Sequence, residues 1–525
     1  MTPVETGRFP PSTPDRGLSK APVISSEHLE AQVPDLAFYL HRTGERVIHV
    51  SHIPVVIPTQ PLSLTDTILT LTRVDDKKDI GRNGIVNTAL AVGEQRNYHD
   101  LLLFENAEFG RDALLFAKKL LPQHPRLMRT TLVRLAELQG TRFDPLRDEE
   151  PGEIFHEYRG PNTPVFGSPS PYYGASDTTI SYINGIIAYI RQEGRDILHD
   201  AFIGRDGRMR TMEDSLFDAA GWLTRRMNRN PQGLIEFQKT TADGIDNQVW
   251  KDSADSYFHK DGALANHDGG VSSIELQVDA YNALMGFIDL YPEHNNAFTR
   301  NRLQQIAQNV EDLWIEDERG GFFALGTDRD AEGRVQRLDI LTSNTGYVLK
   351  SPLLHNDTNP NVVSKREALI QTLFGPSLFS VAGIRTLAVE ELRYTPDAYH
   401  NGKVWPQDVS EIAEGLDTHG YYGLANELRR RIVADMDESR LFPENFRGNH
   451  DARPTISNRI VDVVTPEGKE KRLEQPPQPI LAMAVGAAFE ATESLRQVEE
   501  GSKPAFAEDP AKRKFEEKIL ASLPA

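Results

Sequence analysis

Apolar side chains that recur every three or four residues are the feature of this sequence that most limits its fold. The clearest examples are Ile180, Ile183, Ile187 and Ile190, and the same spacing runs through residues 216–227, 274–288 and 303–313. Such spacing places the apolar side chains on one face of an α-helix. Further helices are predicted at residues 111–121, 125–139, 343–350, 362–373, 408–419, 422–436 and 478–496. The chain is therefore predicted to be mainly helical.

The number of helices and the placement of polar residues in the loops between them predict an all-α architecture. An (α/α)6 barrel over residues 106–497 is the favoured form, and a helical solenoid is the main competitor. Solenoids are built from sequence repeats of about 30–45 residues, and no repeat of that period is visible here. The sequence therefore favours the closed barrel.

The two ends of the chain differ from this helical part. Residues 1–30 are rich in proline, serine and charge, which predicts a poorly ordered lead-in. Residues 31–105 are predicted to form a short β-containing extension, because β-branched residues broken by prolines, including the run 65–71, dominate residues 46–75. Residues 498–525 are charged and predict a tail or a peripheral helix.

Composition excludes several classes of function. The chain has 525 residues, 39% of them hydrophobic, a net charge of -19 and no cysteine. A disulfide scaffold and a thiolate nucleophile are therefore excluded, and an acidic chain favours neither nucleic acid nor an anionic membrane. No apolar run approaches the roughly 20 residues of a membrane span, and no basic segment followed by an apolar run opens the chain, so a cytoplasmic protein is expected.

Two acidic regions are flanked by aromatic residues. Asp252 and Asp255 closely follow Trp250, and Glu444 stands between Phe442 and Phe446. Glycoside hydrolysis generally uses two carboxylates, and an aromatic ring beside them offers a flat surface to a sugar. One of the aspartates could equally cap the following helix, and Glu444 could be a solvated loop residue. The pairing predicts a sugar-cleaving site.

The loops that carry these residues resemble, in order, those of the amylo-α-1,6-glucosidase family, the glucosidase part of glycogen debranching enzyme. That family is similar to the inverting (α/α)6-barrel hydrolases, which include trehalase and mannosylglycerate hydrolase. The matching blocks are residues 109–112, 149–159, 172–179, 247–256, 274–277, 383–387, 399–408 and 442–448. Two departures are visible: at most about 100 residues precede the predicted barrel, where family members often carry a larger N-terminal β-sandwich, and the family's Pro-Gln-Ala-Trp is replaced by residues 477–480.

The resemblance implies an inverting, exo-acting glycoside hydrolase that cleaves a terminal α-glucosidic bond, as in glycogen debranching. An aspartate would be the general acid and Glu444 the general base. Alignment on a Ser-x-x-Asp pattern selects Asp255, which is preferred, whereas alignment on Trp-x-Asp selects Asp252, and both remain open. A sugar isomerase or epimerase, which would use histidine bases, and a non-catalytic carbohydrate-binding relative are the alternatives.

Substrate-binding residues are expected in the same loops. The expected set is Arg111, Asp112, His156, Glu157, Arg159, Tyr173, Gln248, Trp250, Glu275, Gln277, His400, Trp405 and Asp408. A metal at His156 and Glu157 is not expected, because no second histidine stands at ligand spacing. The expected ligand is a small carbohydrate or oligosaccharide, with no cofactor.

Overall fold

Fourteen α-helices, sixteen short strands and several short 3₁₀ helices make up the regular structure of the computed structural model, which describes residues 25–53, 57–90, 107–449 and 453–524. The helices are α1 (Ser26–Glu30), α2 (Ala37–Thr43), α3 (Leu64–Leu71), α4 (Gly110–Leu120), α5 (Pro125–Glu137), α6 (Ser176–Glu193), α7 (Met212–Met227), α8 (Ile274–Leu290), α9 (Ala297–Glu311), α10 (Pro360–Leu373), α11 (Pro406–Thr418), α12 (Tyr422–Ser439), α13 (Ala482–Glu499) and α14 (Pro510–Leu520). A 3₁₀ helix, Ser343–Lys350, replaces one predicted α-helix. None of the helices in the described ranges has both the length and the apolar composition that a membrane span needs.

The strands are short and pair locally. They are β1 (Arg46–His52), β2 (Ala89–Leu90), β3 (Glu108–Phe109), β4 (Glu157–Tyr158), β5 (Ala201–Ile203), β6 (Met209–Thr211), β7 (Ser272–Ser273), β8 (Trp314–Asp317), β9 (Gly320–Phe323), β10 (Gly326–Arg329), β11 (Val335–Leu338), β12 (Phe379–Ser380), β13 (Gly383–Ile384), β14 (Arg459–Val464), β15 (Glu470–Glu474) and β16 (Ile480–Leu481). The larger sheets have the strand orders β1-β14-β15 and β11-β10-β7. The described chain is thus mainly helical with small sheets.

Six helical elements contact one another in a closed cycle. The order of contacts is α4, α6, α8, the 3₁₀ helix Ser343–Lys350, α11, α13 and back to α4. The other long helices pack outside this ring: α5 on α4, α7 on α6, α9 on α8, α10 on the 3₁₀ helix, and α12 on both α11 and α13. One hydrophobic core runs through both layers, as expected when amphipathic helices bury their apolar faces against each other.

Amino-terminal ends of ring helices lie on one side, where Arg111 at the start of α4 and Met483 at the start of α13 line one cavity. Gly110, the first residue of α4, is needed there because a Cβ at this position would lie 2.3 Å from the Phe155 carbonyl oxygen. Pro406 opens α11, where its missing N–H costs no helical hydrogen bond. Short strands precede α4, α8 and α13 directly. The loops before these helices are therefore fixed at one rim of the ring.

The N-terminal extension differs from its prediction in part. Residues 65–71 lie in α3 rather than in an extended segment, because Ser63 caps the helix by accepting a hydrogen bond from the Asp66 N–H, and Ile68 and Leu71 are buried. β1 is a strand as expected, but it pairs with β14, so the extension is joined to the C-terminal part of the chain. Of the predicted lead-in, residues 1–24 lie outside the described residues, and Ser26–Glu30 is helical.

The C-terminal helices also begin and end at other residues than predicted. Residues 478–481 precede the helix, because Pro479 interrupts it and Ile480 pairs with Leu90 before α13 starts at Ala482. Residues 498–525, predicted as a charged tail or a peripheral helix, contain α14, which packs on α12.

Candidate active site

A cavity of about 280 Å³ lies at the rim where the ring helices begin. Eight of the predicted residues line it: Arg111, Asp112, His156, Trp250, Asp252, His400, Trp405 and Glu444. They come from the start of α4 and from loops that are far apart in the sequence. Ligand pockets usually have volumes of about 300–1,000 Å³, so this pocket suits one sugar ring better than a polymer chain.

Asp252 reaches the cavity from the loop before α8. Its Oδ2 lies 3.5 Å from Nη2 of Arg111, and its Oδ1 lies 3.9 Å from Nδ1 of His400. Burial raises the pKa of this carboxyl to about 6, although the Arg111 charge opposes the shift. The Asp252 side chain is 27% exposed to solvent, so a substrate can reach it. Asp252 can hold a proton at mildly acidic pH.

Asp255 has a different environment three residues later. Its Oδ2 accepts a hydrogen bond of 2.7 Å from Nζ of Lys471 in β15, and Lys471 also lies 3.0 Å from Glu45. Burial disfavours the charged form, but Lys471 and Arg393 outweigh it and lower the pKa of Asp255 to about 2. Asp255 is absent from the residues that line the pocket. Of the two aspartates that the sequence left open as the acid, Asp252 lines the pocket and Asp255 does not.

Glu444 faces the cavity from the loop after α12. Its carboxylate accepts hydrogen bonds from the Tyr399 hydroxyl and, at 3.1 Å, from the Gln478 backbone N–H. Burial raises the pKa of Glu444 to about 7, against these donors and the charge of Lys403. Both donors stabilise the ionised form, so Glu444 is arranged to exchange a proton near neutral pH.

Arg111 is the positive charge at the centre of this anionic site. Its guanidinium lies 3.2 Å from Asp177, 3.5 Å from Asp252 and 3.8 Å from Asp112. Asp112 is buried, and its pKa is raised to about 7 by burial and by the charges of Glu444 and Asp252. One guanidinium cannot compensate this many buried carboxylates, so protons are retained on some of them.

Aromatic rings form the wall beside the carboxylates. Trp250 and Trp405 meet edge to face with centroids 6.1 Å apart, and His400 stacks on Trp405 at 5.0 Å. The Trp405 indole donates a hydrogen bond to the Tyr399 carbonyl oxygen at 2.9 Å, which fixes its ring. These rings offer flat apolar surfaces of the kind that stack on sugars.

His400 is held in one tautomer. The Ser253 backbone N–H donates to its Nδ1 at 3.2 Å, and burial holds the pKa of His400 well below its usual value. The neutral ring therefore carries its hydrogen on Nε2. This Nε2, Nδ1 of His156 and Nε1 of Trp250 are buried and find no hydrogen-bond partner among the described residues. An unsatisfied buried group costs about 1–3 kcal/mol, so a ligand or water at these atoms would be favourable.

The remaining predicted residues do not line this pocket. Tyr173, Gln248 and Gln277 support the surrounding loops through hydrogen bonds to the Leu138 carbonyl oxygen, the Asp148 carboxylate and the Ile235 carbonyl oxygen. Glu157 and Arg159 pair with each other. Glu275 lines a second cavity of about 460 Å³ within the ring, and Asp408 is fully buried at the start of α11. Burial raises the pKa of Glu275 to about 7 and that of Asp408 to about 6.

Three residues that matter to the site were missed by sequence reasoning. Tyr399 donates to Glu444, Asp177 pairs with Arg111, and Phe166 lines the pocket. Tyr399 and Asp177 stand within blocks 399–408 and 172–179, so polar residues next to the chosen ones were the available signal. Phe166 lies in a loop outside all eight blocks, and its sequence context carries no such signal.

Comparison with known proteins identifies a related domain. Residues 197–458 match the family model of the mannosylglycerate hydrolase MGH1-like glycoside hydrolase domain. No curated protein sequence matches the chain. Two solved structures from Thermus thermophilus share the fold. One is an uncharacterized conserved protein with 13% identity and a TM-score of 0.51, and the match covers 82% of this chain and 100% of that one.

The second structure is a GH63 mannosylglycerate hydrolase in complex with Tris and D-glycerate. It is 13% identical, the match covers 82% of this chain and 100% of that one, and the TM-score is 0.50. At this level of identity, the likeness shows a shared fold.

Proposed function

We propose that this chain is an inverting, exo-acting glycosidase with Asp252 as general acid and Glu444 as general base, because residues 197–458 match the model of a glycoside hydrolase domain. The observation that supports this most strongly is that both carboxyls line one small pocket and both have pKa values raised toward neutrality. The closed cycle of helices supports an (α/α)6 barrel with this pocket at its mouth.

The proposed reaction is a single displacement. Asp252 donates its proton to the glycosidic oxygen as the bond between that oxygen and the anomeric carbon breaks. Glu444 takes a proton from a water molecule as the water oxygen bonds to the anomeric carbon from the opposite face. The products are a sugar with inverted anomeric configuration and the free alcohol, and the enzyme is left with Asp252 ionised and Glu444 protonated.

Other pocket residues would hold the terminal sugar. The Arg111 guanidinium and the Asp112 carboxyl can bind hydroxyl groups by charge-assisted hydrogen bonds, and His400 can donate from Nε2. Trp250 and Trp405 would stack on the ring. The isomerase alternative needs a histidine base, but burial lowers the pKa values of His156 and His400, and Nδ1 of His400 is already occupied.

The substrate we propose is a small α-glycoside from which one terminal sugar is released, with an α-glucosidic bond as the first candidate. A pocket of about 280 Å³ favours a single ring over a long chain. Cleavage of α-1,6 branches, as in glycogen debranching, is the variant of this proposal with the largest leaving group.

A proton NMR time course would test the reaction. The protein is mixed separately with α-glucosides, α-mannosides, mannosylglycerate and α-1,6-branched oligosaccharides, with Glu444→Gln as the inactive control. We expect one of them to release a monosaccharide whose first-formed anomer is β, before mutarotation. A first-formed α anomer would contradict inversion, and no release from any of them would contradict the proposed function.

The pH dependence of kcat/KM follows from the two proposed roles. Catalysis needs Asp252 protonated and Glu444 ionised, and their pKa values of about 6 and about 7 lie in the reverse order. The pair holds one proton between these pH values, and the molecules that carry it on Asp252 are the active ones. We expect a bell-shaped profile with its maximum near pH 6.5. Activity that stays constant from pH 5 to pH 9 would contradict the assignment.

A further inference from the structure

Phe166 occupies the outer edge of the pocket, unlike the two tryptophans. The Trp250 and Trp405 residues are only 6% and 3% exposed, whereas Phe166 is 45% exposed and still lines the same cavity. The Phe166 ring stacks on His156 with centroids 6.5 Å apart and meets Tyr172 edge to face at 5.6 Å. It therefore rests on protein on one side and leaves much of its surface open at the pocket entrance.

A tight hairpin carries this ring. Val165 and Ser168 exchange two backbone hydrogen bonds of 2.8 Å, so Phe166 and Gly167 are the two residues of the turn. Both have positive φ, +48° and +76°, as a type I′ turn requires. Such turns favour Asn or Gly at the first position and Gly at the second.

The two turn positions meet this requirement differently. Gly167 suits its conformation, and a Cβ there would also lie 2.9 Å from the Asp243 carboxylate. Phe166 does not suit it, because a bulky side chain in the left-handed region is strained. Packing gives little compensation, since nearly half of the residue is exposed. The strain therefore indicates that the ring is retained for a contact with a ligand.

We propose that Phe166 is the stacking platform for the leaving group, and that it selects glycosides whose aglycone has a flat apolar face, either a second sugar ring or an aryl group. This rests on the proposed function. The terminal sugar would fill the deep part beside Trp250 and Trp405. The leaving group, which is joined to it through the scissile oxygen, would then extend toward the entrance, where Phe166 stands.

The test compares Phe166→Asn with the wild type on two substrates of the same sugar, an aryl α-glycoside and a glycosyl fluoride. The fluoride has no ring to stack. We expect kcat/KM to fall about 10-fold or more on the aryl glycoside, with a loss at least five times smaller on the fluoride. Because Asn suits the left-handed conformation, Tm should rise by about 1–2 °C. A purely structural role for Phe166 would lower Tm instead.

Two further variants complete the test. Phe166→Trp should keep kcat/KM on the aryl glycoside close to that of the wild type. Phe143→Ala, which removes an exposed ring outside the pocket, should change kcat/KM on neither substrate. Equal losses of kcat/KM on both substrates in Phe166→Asn, or no loss, would overturn the proposal that Phe166 is a stacking platform. If the wild type hydrolyses neither substrate, the proposed function fails. The platform is then judged by the affinity of the wild type and Phe166→Asn for the aryl glycoside, and equal affinities would overturn it.

Discussion

Asp252→Asn is expected to lower kcat/KM on glycosides with poor leaving groups by about 10²–10⁴-fold, the usual contribution of a positioned general acid. Asparagine preserves the size of the side chain but cannot give its proton to the glycosidic oxygen. The fluoride ion of a glycosyl fluoride leaves without protonation, so the rate of hydrolysis of this substrate should fall far less. The loss of rate above neutral pH should also disappear, because that loss reports removal of the one proton that Asp252 and Glu444 share, and the variant no longer needs this proton. Initial rates on both substrates across pH measure these effects.

Asp255→Asn is the matched control for this prediction, because it removes the same charge three residues away. Asp255 pairs with Lys471 outside the pocket, so the variant should lower Tm while kcat/KM of the folded protein falls less than about 10-fold. If Asp255→Asn abolished turnover and Asp252→Asn did not, the two aspartates would have to exchange roles.

Glu444→Gln is expected to lower kcat/KM by about 10²–10⁴-fold on every substrate, including the fluoride, because water must be deprotonated whichever group leaves. The amide oxygen can accept from the Gln478 backbone N–H while the amide NH2 donates to the Tyr399 hydroxyl oxygen, so both contacts and the overall shape are kept and Tm should change little. The loss of rate at acid pH should disappear in the residual activity. The contrast with Asp252→Asn on the fluoride separates the base from the acid.

Azide gives an independent check on Glu444. This anion can attack the anomeric carbon without losing a proton, so it should partly restore turnover of the fluoride by Glu444→Gln. The product would be a glycosyl azide of inverted configuration. If Glu444→Gln hydrolysed all substrates at the wild-type rate, Glu444 would have no role as the base.

The sequence alone determined most of the helical architecture. The apolar spacing at residues 180–190 and 274–288 reports a local property, the 3.6-residue period, and both stretches are helices with buried apolar faces. The same reasoning failed at residues 65–71. There, β-branched residues suggested an extended segment, but the Ser63 cap and the burial of Ile68 and Leu71 favoured a helix. Intrinsic preference is weak against such tertiary contacts.

The tertiary structure decided which aspartate faces the pocket. Asp252 and Asp255 stand on one loop with similar local sequence, so no local pattern separates them. What separates them is Lys471, which lies 216 positions from Asp255 in the chain and neutralises it in a buried ion pair. The pKa values of Asp252 and Glu444 likewise depend on burial by distant segments.

Phe166 shows the same division between what the local sequence shows and what only the folded chain shows. The residues of its loop are readable in the sequence, but the left-handed conformation that makes a phenylalanine unusual there appears only in the folded backbone. Helical period and residue chemistry are encoded over a few neighbouring positions, and the sequence determined them. Which charges are paired, which are buried and which rings stand at the pocket entrance depend on contacts between distant segments, and only the tertiary structure decided these.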